Sequence, residues 1–264
     1  MIWWLWYLLL GAFTGFFAGL LGVGGGLVMV PVLTLMFAAQ DFPADHVLHL
    51  ALGTSMAAIV FTSVSSFRAH HKRGAVIWTV VRDITPGILL GTGLGTVVAR
   101  FVPTKGLAIF FALFVLMVAA QMMLNLKPKP SRQIPGRWAM AGVGVGIGAV
   151  SALVAIGGGA LTVPFLTWCN VKVHNAIGTS AAVGFPIAVG GALGYILNGL
   201  TVEALPAWSL GFVYGPALLW LVVTSVLTAP LGAKTAHSLP VPTLKRIFAG
   251  VLVILAGKML WNLF

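Results

Sequence analysis

Acidic residues are nearly missing from this chain: Asp41, Asp45, Asp83 and Glu203 are the four among 264 residues. A buried carboxylate array, the usual means of relaying protons or holding cations inside a membrane, has little to build on. Cysteine is reduced to Cys169, which excludes an internal disulfide and a cysteine-based metal cluster. Charge of either sign is scarce, at 7% of residues, where a soluble domain carries about 25%. Apolar residues fill the gap at 59%. The stretches 3–21, 75–99, 104–126, 207–231 and 242–263 reach the length of about 20 apolar residues that crosses a hydrocarbon core. The chain reads as an all-α polytopic membrane protein of the cell inner membrane or plasma membrane, with no segment left for a separate soluble domain. Its opening, Met1 to Tyr7, lacks a basic region and a small-residue cleavage site, and is expected to belong to the mature structure. Its tryptophans suit the membrane interface.

Two passages occur twice. Gly24-Gly25-Gly26-Leu27-Val28-Met29-Val30-Pro31 returns as Gly157-Gly158-Gly159-Ala160-Leu161-Thr162-Val163-Pro164, and His49-Leu50-Ala51-Leu52-Gly53-Thr54-Ser55 returns as His174-Asn175-Ala176-Ile177-Gly178-Thr179-Ser180. Val102-Pro103-Thr104 likewise matches Val241-Pro242-Thr243. Duplication divides the chain into repeats at 1–126 and 138–264, joined by 127–137, a polar linker with prolines and basic residues. Each repeat is expected to hold a helical hairpin broken at its glycine triplet, 3–39 and 138–168, followed by three transmembrane helices. The piece after the second triplet, 159–168, would rise only about 15 Å as a helix. Re-entrant and fully crossing hairpins both remain open.

The formal charge of +11 would suggest nucleic acid in a soluble protein. Here most of the basic residues lie in short loops, where they mark the cytoplasmic side. With the N-terminus out and the linker in, twelve of the fifteen basic residues lie toward the cytoplasm, and Arg100, Lys105 and Lys258 lie outside. The loop holding Arg68, Lys72 and Arg73 is basic, while its repeat equivalent, 198–203, has one acid and no base. Each repeat must then cross an odd number of times, and the two are inverted. Inverted repeats suit alternating access to a site near the midplane.

Consecutive glycines free backbone N–H groups, and the helices starting near Leu27 and Ala160 present unpaired donors with a positive partial charge. This marks Gly24, Gly25, Gly26, Gly157, Gly158 and Gly159 as an anion site, set against glycines that only permit close packing, as Gly11/Gly15/Gly19 and Gly87/Gly91/Gly95 appear in sequence. Gly53, Thr54 and Ser55 with Gly178, Thr179 and Ser180 would donate hydrogen bonds to an oxyanion, or bond a carbonyl or a neighbouring helix. Pro31 and Pro164 read as fixed kinks. His49 and His174, paired by the repeat, and Arg82 are candidates for gating or coupling; the blander readings are interfacial anchoring and snorkelling. Adjacent Arg82 and Asp83 are not expected to face each other on a helix.

The run from Gly15 through Pro31, with Gly53-Thr54-Ser55 and their second copies, resembles the sulfite exporter TauE/SafE family over essentially the whole chain. The second copy departs from the pattern: Ala155 stands where the first has Gly22. The resemblance implies a secondary transporter for a small sulfur-containing anion such as sulfite, thiosulfate or an organosulfonate. It does not fix direction. No enzyme activity, cofactor, metal or nucleic acid is expected; the partners are the anion and the lipid bilayer, and a homo-oligomer is compatible with the sequence. The rival readings are an intramembrane enzyme acting on a phosphorylated lipid, disfavoured by the scarcity of acids, and a divalent-metal permease, disfavoured by the scatter of the histidines.

Overall fold

A computed structural model describes residues 2–124, 131–238 and 241–262, so 127–130 of the linker and the last two residues lie outside the description. The regular structure of the described residues is helical apart from one small hairpin. In the first repeat the helices are α1 (Trp3–Leu21), α2 (Gly26–Ala38), α3 (Val47–His71), α4 (Trp78–Phe101) and α5 (Thr104–Met123). In the second they are α6 (Arg137–Val154), α7 (Gly159–Trp168), α8 (Val173–Gly199), α9 (Gly215–Ser238) and α10 (Val241–Trp261). Seven of them are long and apolar enough to cross a membrane, and α2 and α7 are shorter apolar helices.

Both repeats break where the glycines stand. Helix α1 ends on Gly22 in the left-handed conformation (φ 69°), whose N–H bonds the Ala18 carbonyl. Helix α6 ends on Ala155 in the same conformation (φ 44°), which costs an L-residue about 1–2 kcal/mol. The backbone geometry of the first break is thus kept in the second without its glycine.

The repeats interlock. Helix α4 of the first packs along α6 of the second, α9 of the second packs along α1 of the first, and α3 lies against α8. The small-residue stripes line these seams. A Cβ on Gly19 would run into the Ala229 carbonyl on α9, and one on Gly87 into the Ala141 carbonyl on α6. Without an apolar solvent difference to drive helices together in lipid, such close backbone approach is what makes the contact favourable.

One expected helix start is wrong. Residues 207–214 are not the first turns of α9; they contain a two-stranded antiparallel hairpin, β1 (Ser209–Leu210) and β2 (Val213–Tyr214), with Leu210 opposite Val213. Trp208 and Gly211 both take positive φ, 68° and 53°, which a continuing helix does not allow. A Cβ on Gly211 would strike the Ile196 carbonyl, and the Phe212 N–H bonds the Tyr195 carbonyl at 3.2 Å. The hairpin is folded onto the end of α8, and α9 begins only afterwards.

Candidate functional site

The two glycine breaks meet. The Gly157 N–H donates to the Val23 carbonyl at 3.1 Å. A Cβ on Gly24 would lie 2.7 Å from the Gly157 Cα and 3.1 Å from Cγ2 of Ile59, halfway along α3. A Cβ on Gly184, near the middle of α8, would lie 2.6 Å from the Gly157 carbonyl oxygen. Gly26 lies against the Ala155 carbonyl and Gly159 against the Gly22 carbonyl, each with no room for a methyl. The close packing weighed for these glycines is therefore real. It brings two helix starts to one place.

Each of those starts lacks a side-chain cap. Gly25 and Gly158 are the N-caps of α2 and α7, both with φ 82°, and neither start carries an acid in its first turn. The first N–H groups to bond back to the caps are those of Val28 and Leu161. The N–H groups of Gly26, Leu27, Gly159 and Ala160 precede these and have no acceptor within their helices. All four residues are buried. Two positive helix ends converge inside an apolar body with no acid to balance them. Pro31 and Pro164 each lie inside these helices, removing one backbone donor and leaving the Leu27 and Ala160 carbonyls without their usual partner.

Beside the breaks is a cavity of about 10 Å³ lined by Gly22, Gly24, Gly157 and Gly184 together with Ser63 and Ser66 of α3, room for about one water. The Ser66 hydroxyl is buried and has no hydrogen-bond partner among the described residues. The Thr162 hydroxyl, next to Gly158 in the first turn of α7, is likewise buried and unpartnered, as is that of Ser55. Another cavity, of about 80 Å³, touches Gly159 and Ala160 and reaches Gln121, Thr167 and Lys245. Sequence reasoning missed Ser63, Ser66 and Thr162. None has a hydroxyl in its repeat counterpart, Ala188, Gly191 or Met29, so a search for duplicated chemistry passes over them.

The Gly-Thr-Ser clusters have a structural task. The Thr54 oxygen accepts the Tyr214 N–H at 2.9 Å, and the Thr179 oxygen accepts the Ile77 N–H at 3.0 Å. Gly53 admits the Phe212 carbonyl, and Gly178 admits the Ala75 carbonyl, 2.7 Å from where its Cβ would be. Each repeat thus receives the extended segment that leads into α9 or α4 of the other. A hydroxyl that accepts one bond still has a proton to give, so these bonds leave the donor in place. The Ser180 hydroxyl donates to the Gly22 carbonyl at 3.0 Å, tying α8 to the first break. Thr54→Val and Thr179→Val each strand a backbone N–H. Each is expected to cost about 1–3 kcal/mol of stability, read as a lower midpoint of thermal denaturation, with Thr→Ser largely restoring it.

The remaining candidates are dispersed. His49 is buried near the start of α3; its Nε2 lies 3.0 Å from the Ala99 carbonyl and its ring lies 5.2 Å from that of Phe212. His174, its repeat partner, is exposed. Arg82 is on the surface in the second turn of α4 and pairs with Asp83, Nε to Oδ1 at 2.9 Å. The expectation that these neighbours would not meet fails because the long arginine side chain folds back along the helix surface. At 70% exposure of the arginine the pair is of little energetic consequence. Among the described residues no group of three or more histidines, cysteines or acids is placed to hold a metal ion.

The family model "Sulfite exporter TauE/SafE" matches residues 7–259. The chain belongs to that family. A "Probable membrane transporter protein" of Haemophilus influenzae is 38% identical over 254 residues, covering 96% of each chain. The "Probable membrane transporter protein YdhB" of Bacillus subtilis is 26% identical over 239 residues, covering 88% of this chain and 89% of its own. No solved structure matches. Family membership and the seven apolar helices make this a multi-pass membrane transporter of the cell membrane. These names describe transporters rather than enzymes.

Proposed function

We propose that the chain is a secondary transporter that carries a small sulfur-containing anion, such as sulfite, thiosulfate or an organosulfonate, by alternating access between two inverted repeats. The observation that carries this reading is the meeting of two uncapped, buried helix starts at the glycine breaks, beside an unpartnered Ser66 hydroxyl. Buried backbone donors without a balancing acid favour an anion over a cation. The site comprises the backbone at Gly24–Gly26 and Gly157–Gly159, with Thr54, Ser55, Thr179 and Ser180 and the added hydroxyls of Ser63, Ser66 and Thr162. The sulfur chemistry is inherited from the family description.

Inversion is supported by the opposite charge bias of equivalent loops. The reciprocal contacts Thr54–Tyr214 and Thr179–Ile77 are what an internal twofold relation between the repeats would produce. Cysteine labelling checks the topology: with Cys169 replaced, residue 132 should label from inside and residue 200 from outside. Both labelling from one side would end the inverted reading.

The function itself is tested in proteoliposomes by uptake and efflux of sulfite, thiosulfate and a small organosulfonate, with chloride, a divalent metal ion and a phosphorylated lipid as comparisons. Movement of a sulfur oxyanion along its gradient, absent from empty vesicles, is the expected result. Metal movement or lipid dephosphorylation without anion movement would replace it by one of the rival readings.

A further inference from the structure

Helices α3, α8 and α9 enclose a groove of about 810 Å³ with two unlike ends, lined by none of the residues assigned to the anion site. Its wall is apolar and includes Val60, Phe61, Val64, Phe185, Val226 and Leu231. Phe61 and Leu231 are 50% and 58% exposed, on helices long and apolar enough to cross a membrane. Its mouth carries Arg68, Lys72, Arg73 and Lys234, and no acid lines it. The basic residues lie within two turns of the ends of α3 and α9, where a crossing helix meets the headgroups.

We propose that this groove is a binding site for an anionic phospholipid, with a phosphate-bearing headgroup at Arg68, Lys72, Arg73 and Lys234 and an acyl chain along Phe61, Val64 and Leu231. The shape decides between a lipid and a free anion. A soluble oxyanion would use the basic mouth and leave the apolar wall without a ligand, whereas a phospholipid matches both parts. The general excess of basic residues at one membrane face accounts for cations there, but not for their convergence on one apolar groove. Basic pockets between membrane helices recognise anionic headgroups in this way. The proposal is independent of the sulfur-anion reading, because it concerns different residues and a different ligand.

The test is native mass spectrometry of the purified full chain, released from detergent with equal amounts of phosphatidylglycerol and phosphatidylcholine. We expect about five- to tenfold preferential retention of phosphatidylglycerol. The exposed triple variant Arg68→Gln/Lys72→Gln/Lys234→Gln should lose the preference. Val226→Trp, which fills the groove and leaves every charge in place, should lose it too. Circular dichroism on both variants verifies that they are folded. Equal retention of the two lipids, or undiminished preference in both folded variants, would overturn the proposal. So would displacement of the lipid by millimolar inorganic phosphate or sulfite, which would make the mouth a vestibule for soluble anions.

Discussion

Gly26→Ala and Gly159→Ala should each lower the thermal midpoint of the purified protein by about 10 °C or more and abolish transport. The added methyl of Gly26→Ala would meet the Ala155 carbonyl oxygen, and that of Gly159→Ala the Gly22 carbonyl oxygen. Overpacking among side chains costs about 1–3 kcal/mol because rotamers give way. A carbonyl in the opposing backbone cannot rotate aside without undoing its own chain. Here that chain is the left-handed turn that ends the preceding helix, at Ala155 (φ 44°) and Gly22 (φ 69°). Gly93→Ala is the matched control: a Cβ there meets nothing within 4 Å, and alanine is the better helix former by about 1 kcal/mol. The control should melt at or above the parent. Parental melting of Gly26→Ala would mean that the breaks are not packed as described.

That pair of variants also shows how much of the molecule is legible in its sequence. The helix breaks and the packing stripes follow from glycine spacing, since glycine is the residue that most readily serves where backbones touch or turn left-handed. Hence α1, α2, α6 and α7 begin or end within two residues of expectation. The hairpin at 209–214 was hidden because Phe212, Val213 and Tyr214 run straight into an apolar helix, and apolar runs do not reveal their backbone conformation. The exchange of Thr54 and Thr179 between repeats was hidden for another reason. A threonine in a membrane helix reads the same whether it bonds its own turn, another backbone or a ligand. Duplication identified those threonines but not their partners. It also concealed the asymmetry at the centre, where Ile59 packs over the breaks, its counterpart is Gly184, and a small cavity is lined by Gly184 together with Ser63 and Ser66 of α3.

Ser66→Ala separates binding from folding at this position. The Ser66 hydroxyl is buried and has no hydrogen-bond partner among the described residues. Leaving such a group in the interior carries an unrecovered desolvation cost of about 1–3 kcal/mol, so its removal should leave the melting midpoint unchanged or raise it. If the hydroxyl is held there for an anion, the same change removes a hydrogen bond to a charged group. Such a bond contributes about 1.5–3 kcal/mol, or roughly a ten- to hundredfold weaker affinity. Stability and binding then move in opposite directions, which a residue serving only packing cannot produce. The measurement is calorimetric titration of purified protein with sulfite and with a small organosulfonate, paired with a melting curve for each variant. Thr162→Val, at the start of α7, should show the same divergence if both hydroxyls face one ligand. The Thr54→Val variant provides the contrast, because it loses stability through the stranded Tyr214 N–H whatever it does to binding. Unchanged affinity in Ser66→Ala and Thr162→Val, in protein that otherwise binds these anions, would move the site away from the α3 face of the glycine breaks. The cavity bounded by Gly159, Gln121 and Lys245 would then be the next place to look.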